Sequence, residues 1–446
     1  MRAASRGIRR ILALALLGGA PALQAQDLLD VWQAALQRDP IYAAANAQRN
    51  ADQEAVPQAR ARLLPYIIAD GSGQVDHTRR LHGFENGDTR RRTDWALTLT
   101  QPIIDLGAWD KLRQSEFAAN SADLGLKQAY QDLILRVAQA YFDVLAAQDS
   151  LRTLLAQRQA VTNQLEAARK GFEVGATTIA DTYEAQARLD LLNASEIQIR
   201  NALQVSEDQL AKLINERPGT LATLAAPTRL PGPTPDKLSD WTAQASQANL
   251  AVARAQLAAK IVEKQIDIAK NRHSPTLSLY AQTGSASDRG IYGLRNGPRS
   301  LDNTVGLQLL IPIYSGGEVS SQVREQTSRL QQARYILEDT RRQAVLATQQ
   351  YYSGVTSGLA QISALQAAEK SSQASLQANR SGYEIGVRVN IDVLNAQQQL
   401  YETQRALSRA RYDTLMNSLR LKAASGILAE SDLVAINGLL LPASAR

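Results

Sequence analysis

The chain carries its pattern twice, and that repeat limits the fold more than any single motif does. Set residue n against n+210, and Leu28, Asp30, Ala35 and Gln37 fall on Leu238, Asp240, Ala245 and Gln247. Ala59, Arg62 and Pro65 fall on Ala269, Arg272 and Pro275, and Leu97, Leu99, Pro102, Ile103 and Gly107 on Leu307, Leu309, Pro312, Ile313 and Gly317. The offset then becomes 211. GFEVG at 171–175 matches GYEIG at 382–386, and Asp181, Ala185, Gln186, Leu189 and Arg200 match Asp392, Ala396, Gln397, Leu400 and Arg411. Chance likeness between two alanine-rich chains does not hold an offset this steady. Residues 26–217 and 237–426 therefore read as two structural repeats.

Proline usage marks the joint. Five of the 14 prolines lie between Pro218 and Pro235, so 218–236 reads as a linker. No proline occurs from Ile103 to Arg217 or from Ile313 to Leu441. In the first of these spans Tyr130, Ile134, Val137, Tyr141, Val144, Leu151, Leu155, Val161, Leu165 and Phe172 recur at spacings of three, four or their sums. The spacing predicts a long helix at 107–173 and a returning helix at 178–215, with counterparts at 317–383 and 389–425. At ~1.5 Å per residue each long helix runs about 100 Å. No globular core covers such a helix, so coiled-coil packing is expected.

Short strands precede each long helix. Trp95, Leu97 and Leu99 alternate with Ala96, Thr98 and Thr100. Leu277, Leu279 and Ala281 alternate with Ser278, Tyr280 and Gln282, and Val305, Leu307, Leu309, Ile311 and Ile313 with Gly306, Gln308, Leu310 and Pro312. Residues 66–76 give a weaker fourth strand, so the hairpins are placed at about 66–104 and 276–313. Each strand is about 10 residues, the length of a tilted transmembrane strand with one apolar face. Period alone leaves an ordinary half-buried hairpin equally open. Trp109 and Tyr314 lie just past strand ends, where interfacial aromatics sit. Four strands cannot close a transmembrane barrel, because the smallest have about eight, and lipid does not tolerate an open sheet edge. If these strands cross a membrane, several copies must share one barrel.

Residues 1–25 read as a secretory signal peptide, with Arg2, Arg6, Arg9 and Arg10 before an apolar run from Ile11 to Leu17 and a small residue, Ala25, at the expected cut. The whole chain has 49 Lys and Arg against 43 acids; without the signal the balance is 45 against 43. The basic charge thus belongs largely to the signal and gives no argument for nucleic acid. The chain has no Cys, which rules out a disulfide framework and a lipidated N-terminal Cys.

The order of parts resembles the TolC family of outer-membrane efflux and secretion ducts. The likeness rests on a helix ending QARARLLP or IAKNRHSP, a hairpin, QPIIDLG or IPIYSGG, a very long helix, then GFEVG or GYEIGVR and a returning helix. It covers essentially the whole mature chain. The resemblance implies a mainly α fold with transmembrane β, in which a homotrimer gives four strands per protomer to one 12-stranded barrel. A long α-helical periplasmic barrel would continue it. The 218–236 linker and the 427–446 segment would form an equatorial belt. It further implies a periplasmic adaptor and an inner-membrane RND pump or ABC exporter as partners, contact with outer-membrane lipid, and passive export in efflux and type I secretion. The metal-efflux branch of the family commonly carries a lipidated N-terminal Cys, which this chain lacks.

At the junctions Pro102 and Pro312 suit strand ends, Asp105 and Ser315 suit helix caps, and Gly107, Gly316 and Gly317 suit the change from sheet to helix. Gly175 and Gly386 mark the helix-turn tips. By resemblance, Tyr383 and Arg388 bond Asp181 on a neighbouring hairpin to hold the periplasmic end shut, and Asp392 supplies a carboxylate ring. Three departures from the family pattern stand nearby: Ala180 for a hydroxyl residue, Asn395 for a second acid, and Arg380 for an acid opposite Gln164. Glu184 is acidic where the family need not be.

No catalytic set, metal spacing or phosphate-binding loop is visible, so neither enzyme nor cofactor is expected. His77, His82 and His273 are the only histidines, and His77 and His82 are placed in a surface loop with Arg79, Arg80, Arg90, Arg91 and Arg92. A non-conducting periplasmic coiled-coil adaptor would explain the helices but not two symmetric hairpins.

Overall fold

The computed structural model describes residues 26–78, 88–225, 230–289 and 300–441. The expected signal peptide lies outside them, as do Arg79, Arg80 and His82. In chain order the elements are α1 (Leu28–Arg38), α2 (Pro40–Gln53), α3 (Ala55–Ala61), β1 (Tyr66–Thr78), β2 (Asp88–Ile104), α4 (Leu106–Glu173) and α5 (Ile179–Ile214). After β3 (Thr223–Leu224) the order recurs as α6 (Leu238–Ala248), α7 (Leu250–Lys270), β4 (Thr276–Arg289), β5 (Ser300–Leu310), α8 (Glu318–Glu384) and α9 (Asn390–Ala424), closing with α10 (Glu430–Asn437) and β6 (Leu440–Leu441).

The strands are longer than the sequence pattern indicates: β1, β2, β4 and β5 hold 13, 17, 14 and 11 residues. His77, Arg91 and Arg92, expected in a loop, lie in β1 and β2. Their strands keep pairing beyond the apolar stretch, because backbone hydrogen bonds do not depend on which side chains point outward. At the other end β5 stops at Leu310, short of the expected 313.

The chain divides into two compact units that do not follow the two sequence repeats. One takes residues up to Gln37, Val137–Arg229 and residues from Ser431; the other takes Arg38–Arg136 and Leu230–Glu430. A helix as long as α4 contributes to both, because it exceeds the reach of a single compact core.

In the first unit, the stretch at 26–28, the linker and the C-terminal segment knit together. Gln26 N donates to Thr220 O at 2.8 Å, and Gln26 O accepts from Ala222 N at 3.0 Å. β3 pairs antiparallel with β6. Asn437 holds both Asp27 and the Leu28 amide, at 2.8 and 3.0 Å. Under this patch the fully buried Tyr141 donates to Ala222 O at 2.7 Å. Further along, the α4–α5 pair is fastened by Glu196, which meets Arg158 from α4 and Arg200 at 2.7 Å from its own helix.

The second unit holds the sheet and the second helical hairpin. Asp39 caps α2, accepting from Tyr42 N at 2.7 Å, and takes a two-pronged contact from Arg136 at 2.8 and 3.0 Å. Burial alone would raise the Asp39 carboxyl pKa, but the hydrogen bonds from Arg136 and the Tyr42 amide, with the Arg136 charge, hold it below the usual value. Lys264 and Asn271 of the second repeat reach Asp110 near the start of α4, at 3.4 and 2.6 Å. On α9, Val393, Leu400, Leu407 and Thr414 are buried every seventh residue, the heptad spacing of a helix wound against a partner. That partner is α8, whose 67 residues run about 100 Å.

Candidate functional site

Two regions carry the candidate function: the sheet and the helix-turn tips. All pairs in the sheet are antiparallel, in the order β1-β2-β4-β5. β1 and β5 each have a partner on one side only among the described residues. Directly opposed residues in such a ladder share a face. The register therefore sets Ile67, Leu99, Ala281 and Val305 in one row on one face, flanked by a row of Ala69, Leu97, Thr283 and Asn303 and a row of Gln101, Leu279 and Leu307. The other face carries Asp70, Ala96, Gly284 and Asp302 in one row and Ile68, Thr98, Gln282 and Thr304 in the next. The apolar face has no cover from the chain itself: Val305, Leu307 and Leu309 are 74, 63 and 60% exposed. A face so greasy and so bare, with two open edges, is not a stable surface in water.

At the sheet-to-helix junctions the residues singled out in the sequence take these places. Pro102 lies in β2 where the ladder slips between Pro102 and Ile104, so the missing N–H falls at a bulge. Pro312 follows β5 by two residues. Asp105 caps α4, accepting from Ala108 N at 2.8 Å. Gly316 and Gly317 adopt φ of 63° and 84°, which side-chain-bearing residues resist. Gly107, expected to make the bend, instead lies in the first turn of α4, where a Cβ would sit 3.3 Å from the Asp105 carboxylate. It leaves room for the cap. Ser315 does not cap with its side chain: its hydroxyl is buried without a partner, and Gly317 takes the N-cap position of α8. Trp109 and Tyr314 stand exposed just beyond the strands.

Each tip closes in the same way. Gly175 and Gly386 take φ of 72° and 76°, and the next two amides turn back to Gly171 O and Gly382 O. This is the left-handed helix ending that favours glycine. After the turn the repeats diverge. Thr178 caps α5, and Asp181 completes a capping box, accepting from the Thr178 amide at 3.0 Å and its hydroxyl at 2.9 Å. In the second repeat Val389 stands in place of Thr178 and offers no cap, so Asp392 is released from that duty. Arg388 meets it at 3.6 Å, one turn away. Asp181 belongs to the first unit; Tyr383, Arg388 and Asp392 belong to the second. Glu184 and Asn395 are exposed.

One feature of the tip escaped the sequence. A Cβ on Gly382 would lie 2.7 Å from Arg388 Cγ, and one on Gly171 would lie 2.8 Å from Thr177 Oγ1. The bare glycine lets the side chain six residues on lie across the turn. The recurrence of glycine at both 171 and 382 was the available signal. No group of three or more metal-binding side chains occurs among the described residues, and no described helix is long and apolar enough to cross a membrane.

The family model described as outer membrane efflux protein matches residues 31–216 and 241–427, one block in each repeat. The chain is 34% identical over 440 residues to outer membrane protein TolC of Escherichia coli K12, covering 96% of this chain and 88% of that protein. It is 31% identical over 416 residues to alkaline protease secretion protein AprF of Pseudomonas aeruginosa, covering 91% and 85%. Among solved structures, the outer membrane protein VceC of Vibrio cholerae superposes with a TM-score of 0.74 at 20% identity, over 90% of this chain and 96% of that one.

Proposed function

Since the chain belongs to the outer membrane efflux protein family, we propose that three copies pool their sheets into one 12-stranded barrel continued by a helical duct. The protein works in the outer membrane as an exit duct for efflux and type I secretion. The observation that supports the trimeric reading best is the four-stranded sheet with one bare apolar face and, among the described residues, an open edge on each of its two outer strands. β5 of one copy meets β1 of the next, the apolar face meets lipid, and Asp70, Asp94, Thr98 and Asp302 line the bore. The Trp109 and Tyr314 rings mark the membrane boundary. The proline-rich linker 218–236 and the segment 427–446 form a belt around the helices.

At the far end the tips form the gate. Tyr383 and Arg388 bond Asp181 of a neighbouring hairpin, and three copies of Asp392 ring the pore. Such a ring favours cations over anions. The contact between Arg388 and Asp392 supports a gate in which the guanidinium is shared between two carboxylates. Charge-assisted bonds of ~1.5–3 kcal/mol each hold such an end shut and still allow it to open. A periplasmic adaptor and an inner-membrane RND pump or ABC exporter supply the cargo and the energy. Planar-bilayer recording tests the gate: Tyr383→Phe with Arg388→Ser raises single-channel conductance. Unchanged conductance refutes the gate residues while leaving the duct itself intact.

A further inference from the structure

The two helical hairpins hold the same glutamine in the same register and treat it in opposite ways. In the first, Gln186 accepts from Arg169 across the α4–α5 pair at 2.9 Å and donates to Asp190 at 3.0 Å. In the second, Gln397 is fully buried and neither atom of its amide has a hydrogen-bond partner. The repeat mates of Arg169 and Asp190 are Arg380 and Tyr401. Burial raises the Tyr401 phenol pKa and the Arg380 charge draws it partly back, and neither residue hydrogen-bonds the Gln397 amide. Gln397 instead points into the heptad seam of α9, between Val393 and Leu400, both buried. The next polar residue of that seam, Gln404, is satisfied by Glu369 of α8 at 3.0 Å; the one after, Arg411, buries an Nε with no partner.

A buried amide without partners favours any state in which water reaches it. A polar side chain in a coiled-coil seam likewise weakens the helix contact it sits in. We propose that Gln397 is a built-in weak point of the α8–α9 pair, which lowers the work of separating these helices when the tip opens. Separation wets the amide and releases its penalty, whereas the α4–α5 pair carries no such burden at Gln186. The link to opening rests on the gate reading above; the claim about the helix contact does not.

The test uses the full-length trimer in detergent and in bilayers. Gln397→Leu and Gln397→Met, of similar volume, each raise the thermal midpoint by about 2 °C or more and lower the open fraction about tenfold. Gln186→Leu, which strips two made bonds, does not raise the midpoint. A midpoint unchanged or lowered in both Gln397 variants overturns the weak point. A raised midpoint with unchanged open fraction overturns its part in opening, provided that Tyr383→Phe with Arg388→Ser still alters conductance in the same preparation. If that double variant is silent too, the gate reading has failed and the raised midpoint still supports the weak point.

Discussion

Leu99 and Thr98 are neighbours in β2 that face opposite ways, and a single charge placed at each separates the two faces of the sheet. Leu99 stands five residues before the strand ends at Ile104. At ~3.3 Å per residue and a tilt of about 40°, that is about 13 Å of depth, the middle of an apolar band about 25 Å tall. Its row on the apolar face is Ile67, Ala281 and Val305, so on the proposed reading an arginine there meets lipid and directly opposed neighbours that are all apolar. The expected cost of Leu99→Arg is roughly 2–4 kcal/mol per copy, or roughly 6–12 kcal/mol per trimer. That rivals the whole stability of a typical domain, about 5–15 kcal/mol. Thr98→Arg points among Ile68, Gln282 and Thr304 on the face proposed to line the bore, and its cost stays within about 0.5 kcal/mol. Trimer yield in isolated outer membranes, read on semi-denaturing gels, should collapse for Leu99→Arg and hold for Thr98→Arg. Equal tolerance of both, or the reverse order, would refute the assignment of faces.

Three further outcomes rest on the geometry. Gly382→Ala places a methyl 2.7 Å from the Arg388 stem, so the guanidinium shifts off its seat and bilayer conductance rises toward that of the gate double variant; wild-type conductance would contradict it. Asp39→Ala removes the cap of α2 and both contacts with the partly exposed Arg136, at a cost of about 1–3 kcal/mol in urea melts. Because the folded Asp39 pKa is depressed, its contribution is present above the unfolded value of about 3.9 and is lost as pH falls through the lower folded value. Asp39→Asn should therefore flatten the stability profile below about pH 4, and an unaltered slope there would exclude this pair as its source.

Much of the architecture was legible because it rests on periodicity. The long helices announce themselves through apolar residues at spacings of three and four, the sheet through alternation, and the tips through GFEVG and GYEIG. What stayed hidden depends on contacts between residues far apart in sequence or on backbone geometry. Glu196 looks like one more exposed acid until α4 brings Arg158, 38 residues earlier, against it. Ser315 has the right identity for a cap, but two left-handed glycines after it move the helix start to Glu318. Gln186 and Gln397 are interchangeable in sequence; only the helix face each presents separates a bonded amide from a stranded one. The capping duty of Asp181, which Asp392 does not share, turns on the single exchange of Thr178 for Val389.

The mass of the purified particle, measured by native mass spectrometry from detergent, tests most directly whether the third of a barrel that each molecule carries is completed by its neighbours. Three chains per particle, inserting into bilayers as one conducting unit, is the expected result. A single chain that stays dissolved without detergent would contradict it.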